Sequence, residues 1–197
     1  MSKNKEVLLL LTDHWADWEA SHAIVGINLA ENYTVRTIGV DTQPKASIGG
    51  IRAEIDHAIA GYHGFDNLSM VILCGGFMWG ENNYDEIADF VQRAVSRCIP
   101  IAAICGATIF LARQGFLNNV KHTGDERDYF EEMLADEDGY KGQEHFMAAQ
   151  VVNDGGFITA NETAALEFAR EIFLTLQTDS VDGIELWYEN HKGGMVK

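Results

Sequence analysis

The sequence predicts an α/β fold of three layers, with a mainly parallel central sheet between two layers of helices. Two observations lead there. Short apolar runs without alternation, at residues 7–11, 69–74 and 101–104, read as strands buried on both faces, the pattern of a parallel sheet. Between them the apolar spacing shifts to the helical period, so strands and helices alternate along the chain. A length of 197 residues, with no internal repeat and no linker-like tract, suits one domain over 1–197.

Taken in order, residues 7–11 form the first buried strand, 12–16 a loop, and about 17–30 a helix. Residues 33–40 alternate and read as a second strand. Ile48, Ile51, Ala53 and Ile55 flank Gly49 and Gly50 as a small hairpin. Residues 69–74 form a third buried strand ending at Gly75 and Gly76. A helix over about 84–96 carries Ile87, Phe90, Val91, Ala94 and Val95 on its apolar side. Residues 101–104 are the central strand. Residues 121–123 read as a further short strand. The acidic stretch 125–142 reads as a solvated helix face. Residues 149–152 and 157–159 flank Asn153-Asp-Gly-Gly156 as a hairpin. A long helix begins near Asn161, and a short one is expected around 184–188.

The stretch after the central strand carries the chemistry. Cys105 follows Ile104 at once, then come Gly106 and Ala107, and a helical pattern runs over 108–113 until Gly115. Strand, cysteine, small residues and helix without a loop make a nucleophile elbow, a tight turn that presents one side chain above the sheet. The following N–H is then free to receive an oxyanion, and the positive end of the helix favours a thiolate. In a sheet of this kind ligands bind at the carboxyl ends of the strands. The loops that follow residues 11, 74 and 104 should therefore meet at one edge, bringing Glu19, Gly75, Gly76 and Cys105 together.

Composition narrows the partners. A net charge of −16 argues against nucleic acid and anionic membranes, since both call for a basic footprint. Three scattered cysteines, with no Cys-x-x-Cys, give no disulfide framework and no zinc spacing. The opening apolar run is too short for an export signal, and no run reaches the length of a membrane span. A reducing, cytoplasmic location is expected, which keeps a thiol available. His14, Asp17 and His22 form no recognised ligand spacing, so no metal is expected. The loop 12–19 is acidic and aromatic rather than phosphate-binding, so no flavin or other cofactor is expected.

Asp17-Trp-Glu19, Leu73-Cys-Gly-Gly76, Ala102-Ala-Ile-Cys-Gly-Ala107 and Gly156-Phe-Ile-Thr-Ala160 together resemble the ThiJ/PfpI family of the class I glutamine amidotransferase-like superfamily. The resemblance spans about 7–176. It implies a flavodoxin-like sandwich, with Cys105 as the reactive cysteine and Glu19 as its acidic partner. It also implies oxyanion donors from the N–H groups of Gly76, Gly106 and Gly75. Homodimers are common in the family, and its activities include peptidase, amidase, deglycase and glyoxalase chemistry, with chaperone and oxidative-stress roles. The sequence departs from the pattern in two places. Gly106 stands where some relatives carry a histidine, and Asp125 stands where others place one after a Thr-x pair.

A hydrolytic reaction needs a general base. His122 is the first candidate by position, and His14, in the loop after the first strand, is the second. On an alternating strand His122 and Asp125 point to opposite faces. Trp15 and Trp18 beside Glu19 indicate a partly apolar pocket, in which a protonated Glu19 would favour the thiolate and an ionised one would oppose it. Cys74 is placed for packing or for a disulfide with Cys105 under oxidation. Phe77, Trp79 and Tyr84 are placed to wall a pocket, a dimer contact or the core. The expected function is a cysteine-dependent hydrolase, amidase or glyoxalase-like enzyme acting on a small carbonyl or amide compound. The competing reading is a non-catalytic redox or stress sensor using the same cysteine.

Overall fold

The computed structural model describes residues 5–80, 84–135 and 138–194. A seven-stranded sheet lies at its centre. Its strands are β1 (Lys5–Leu10), β2 (Tyr33–Gly39), β5 (His57–Ala58), β6 (Leu68–Leu73), β7 (Ile101–Ile104), β8 (Val151–Asp154) and β9 (Phe157–Ala160). The order across the sheet is β5-β2-β1-β6-β7-β9-β8. All neighbours are parallel except β8, which runs back against β9 at the edge. A separate antiparallel pair, β3 (Lys45–Ala46) and β4 (Arg52–Ala53), makes the small hairpin around Gly49 and Gly50.

Helices cover both faces, and the pleat of the strands sorts the core between them. From β1, Leu8 and Leu10 pack on one face with helix α2 (Asp85–Val95) and helix α3 (Gly106–Arg113). Val7 and Leu9 pack on the other with helix α1 (Asp17–Leu29) and helix α5 (Ala165–Leu176). This period-two division of a continuously apolar run is why the strands carry no polar alternation. The result is the flavodoxin-like α/β sandwich expected from the sequence. Among the described residues no helix is long and apolar enough to cross a membrane.

Several expectations change. Residues 121–123 are not a strand; only a bridge between His122 and Phe146 forms there. The acidic segment holds a short helix, α4 (Arg127–Met133), that is exposed on one side and seats Phe130 in the core, so it is amphipathic rather than merely solvated. Asp136 and Glu137 of that segment lie outside the described residues. Helix α5 begins at Ala165, after a turn in which the Asn161 carboxamide oxygen accepts from the Thr163 N–H. Helix α6 (Val181–Gly193) is far longer than the expected short helix, and it is tied to α5 by Arg170 with Glu185 and Lys192 with Glu167.

For the site, the topology matters in one respect. β1 and β6 are neighbours, with β2 beyond one and β7 beyond the other, so the chain leaves them in opposite directions and a crevice opens at their carboxyl ends. The loops after Leu10, Leu73 and Ile104 converge there.

Candidate active site

Cys105 stands between the last residue of β7 and the first of α3 with no loop between them. Its backbone is at φ 56 and ψ −133, a conformation that side-chain-bearing residues rarely adopt and that costs on the order of 1–3 kcal/mol. The elbow is pinned on both sides. The Cys105 N–H donates to the Ala160 carbonyl at 3.0 Å, and the Cys105 carbonyl accepts from both the N–H and the hydroxyl of Thr108, at 2.9 and 2.7 Å. Surroundings that over-determine a strained residue in this way hold its side chain in one place.

The loop after β6 passes directly beside the elbow. A Cβ on residue 75 would lie 2.2 Å from Glu19 Oε2, 2.7 Å from the Ile104 carbonyl oxygen and 2.8 Å from Cys105 Cβ. Only glycine fits. Gly76 is at φ 141, with the His14 carbonyl oxygen 2.3 Å from where a Cβ would stand, so two constraints select glycine there. Gly76 bridges Trp15, and that bridge is closed by Ala16 N–H to Gly75 O at 3.0 Å and Phe77 N–H to His14 O at 3.3 Å. These bonds flank the pair and leave the Gly76 N–H outside the ladder. The Gly106 N–H lies against the Cys105 sulfur. The Gly75 N–H, offered from sequence as a third oxyanion donor, instead faces the Glu19 carboxyl.

Two carboxyl groups flank the thiol. Glu19 comes from the first turn of α1 and is wholly buried; neither of its oxygens has a hydrogen-bond partner in good geometry among the described residues. Burial raises its pKa to about 7, against the lowering influence of the Cys105 thiol and the Gly75 N–H. Asp125 approaches from the other side, with Oδ1 accepting from the Glu162 N–H at 2.8 Å. Burial raises Asp125 as well. The thiol responds to both: desolvation, then the charges of Glu19 and Asp125, push the Cys105 pKa well above that of a free thiol. Burial and the two neighbouring carboxyl groups thus act against the thiolate that the helix N-terminus favours.

Cys105 opens into a cleft of about 1100 Å³. Gly76, Phe77, Thr123, Asp125, Tyr129 and Glu162 are among its walls. Neither histidine expected from sequence lines it. His122 is fully buried, with Nδ1 against the Val120 carbonyl and Nε2 against the Tyr140 hydroxyl, both at 2.8 Å. It is packed among Phe130, Tyr140 and Phe146, and burial lowers its pKa. The bridge to Phe146 and the aromatic cluster hold His122 in the core, while Asp125, three residues on, faces the thiol. The His14 ring is exposed and away from the cleft; it is its backbone, at φ 54, that crowds Gly76.

Cys74 is buried, with its thiol donating to the Ala16 carbonyl at 3.5 Å, and all three cysteines are free. Trp79 is core, its indole N–H donating to the Cys74 carbonyl at 2.8 Å. Of the three aromatics placed near the Gly-Gly turn, only Phe77 lines the cleft. Sequence reasoning missed Asp125 as a partner of the thiol, and with it Tyr129 and Glu162.

A model of the DJ-1/PfpI family matches residues 5–175. The chain is 36% identical over 192 residues to a Bacillus subtilis (strain 168) protein named uncharacterized protease YdeA, covering 96% of this chain and 92% of that one. It is 31% identical over 197 residues to a second protein of that organism, uncharacterized protease YoaZ, with the same coverage of 96% and 92%. Among solved structures, a thiJ/pfpI family protein from Bacillus anthracis superposes with a TM-score of 0.87 at 28% identity, covering 95% of this chain and 90% of that one.

Proposed function

The chain belongs to the DJ-1/PfpI family, and from that premise we propose that it is an enzyme whose nucleophile is Cys105, acting on a small carbonyl compound. The observation that carries the reading is a strained elbow thiol set between two carboxyl groups of raised pKa at the floor of an open cleft. In the proposed step the sulfur attacks the carbonyl carbon, the S–C bond forms and the C=O π bond breaks. The thiol proton passes to a flanking carboxylate, and the Gly76 and Gly106 N–H groups receive the developing oxyanion. The same carboxyl then returns the proton to that oxygen, giving a hemithioacetal with atoms and charge balanced. A carboxyl near pKa 7 is suited to both directions of that transfer at neutral pH.

Two features favour this over the neighbouring readings. Attack on an amide must end with expulsion of an amine, whereas addition to an aldehyde has no leaving group and asks of the carboxyl only the proton it took from the thiol; among the described residues no imidazole lines the cleft. A thiol that only senses peroxide needs no cleft of about 1100 Å³ beside it, whereas a carbonyl substrate does. The test is conversion of a 2-oxoaldehyde and water to the 2-hydroxy acid, which needs no oxidant, and cleavage of a small amide, by wild type and Cys105→Ala. Aldehyde turnover lost in Cys105→Ala supports the proposal. Amide cleavage alone would move the function to hydrolysis, and no turnover that needs Cys105 overturns the enzyme reading.

A further inference from the structure

The charge of the cleft limits what can enter it. Asp125, Glu126 and Glu162 line it, and Glu19 stands buried behind the thiol with two oxygens that no donor satisfies among the described residues. Arg127 is the one cation on the wall among the described residues, and it is already committed. Its guanidinium donates to the Phe146 carbonyl at 2.8 Å, pairs with Glu131 at 3.3 Å and lies 4.7 Å from the Phe146 ring centroid. The carboxylates act as one field: Asp125 and Glu162 both raise Glu19, and both raise Tyr129. The walls add two aromatic faces, Phe77 at 69% and Tyr129 at 47% exposure, large values for such side chains. Carboxylates beside open aromatic faces are the chemistry that holds an ammonium or guanidinium group.

We propose that the substrate carries a cationic group, an ammonium or guanidinium, close to its reacting carbonyl, and that Glu162 is the residue that selects it. This rests on Cys105 being the nucleophile that meets the substrate. Glu162 is suited to selection because its backbone N–H holds Asp125 while its exposed carboxylate stays on the wall of the cleft. Anionic carbonyl compounds, 2-oxo acids among them, are repelled by the same groups.

The test reads charge preference at the thiol itself. Three methanethiosulfonate reagents with one reactive group and a cationic, neutral or anionic tail are applied to the full chain. Modification is followed peptide by peptide at Cys105 and at the exposed Cys98, which reports the general field of the protein. The cation-to-anion rate ratio at Cys105 is expected to exceed that at Cys98 by about tenfold or more at low salt. It should shrink as salt rises and drop in Glu162→Gln. Equal ratios at the two cysteines, with Cys105 open to the neutral reagent, overturn the substrate class and leave the nucleophile standing. A Cys105 closed to all three reagents while Cys98 reacts overturns the accessible nucleophile, and the inference with it.

Discussion

Glu19 and Cys105 meet across a gap that exists because residue 75 has no side chain: a Cβ there would be 2.2 Å from the Glu19 Oε2 and 2.8 Å from the Cys105 Cβ. The acid belongs to α1 and the thiol to the start of α3, so the contact joins elements far apart in sequence through the loop after β6. Burial of Glu19 and the rise in the Cys105 pKa are two sides of one arrangement. Ionising either group raises the cost of ionising the other.

If the carboxylates hold the proton on Cys105, removing either charge should release it. Glu19→Gln and Asp125→Asn are each expected to shift the pH profile of Cys105 alkylation to lower pH and to raise its rate at neutral pH several-fold. Cys98 in the same samples should be unaffected. Peptide-resolved alkylation across pH checks this. Profiles that coincide with wild type would show that neither carboxylate controls the thiol.

The same buried acid makes stability depend on pH in a stated direction. Folded Glu19 keeps its proton up to about pH 7, while the unfolded chain releases it near 4.5. The folded state thus binds more protons across that window, and this contribution to stability is present at the acidic end and is lost as pH rises through it. For a wholly buried group the full change is on the order of 3 kcal/mol. Glu19→Gln should therefore be more stable than wild type at pH 8 and close to it near pH 4.5, as measured by denaturant unfolding at both values. A stability difference that does not change between the two pH values would contradict a raised Glu19.

Gly75→Ala tests the gap directly. The added methyl meets a carbonyl oxygen of β7 as well as the Glu19 carboxyl, so moving one side chain cannot accommodate it. Overpacking of this kind costs about 1–3 kcal/mol. The variant should melt earlier and its Cys105 alkylation profile should change, because the thiol, the acid or both must move. Unaltered stability and reactivity would mean that the loop yields without disturbing either group.

How far the sequence disclosed this arrangement depends on what each residue answers to. The strands at 69–74 and 101–104 were legible because burial on both faces leaves an unbroken apolar run, and the Cys105 elbow was legible because strand, cysteine and glycine are contiguous. Strand β5 was not, since two residues pairing with β2 carry no pattern of their own. Helix α6 was under-read because, of its described residues, only Ile184 is fully buried; its ion pairs with α5 are tertiary and leave no local trace. The thiol's partners were half-legible. Glu19 stood out beside the first strand, but Asp125 was read as a missing histidine. Which of His122 and Asp125 faces the cleft is decided by a single bridge to Phe146 and by the aromatic cluster around His122, both long-range contacts.

His122 gives the sharpest check on that correction. Its ring joins the Val120 carbonyl to the Tyr140 hydroxyl inside an aromatic cluster, so His122→Ala leaves a cavity and two polar groups without their partner. The expected loss is about 2–4 kcal/mol. Because burial lowers the pKa of this histidine in the folded state below the unfolded value near 6.5, its contribution is present above that pH and falls away as pH drops below it. The gap between wild type and His122→Ala should then be wider at pH 8 than at pH 5. Cys105 alkylation and any Cys105-dependent turnover, measured well below the melting temperature, should stay within about twofold of wild type, since a structural histidine alters how much protein is folded and not what the folded protein does. A variant of undiminished stability that has lost turnover would return His122 to the catalytic role that its place in the sequence first indicated, and would displace Asp125 from it.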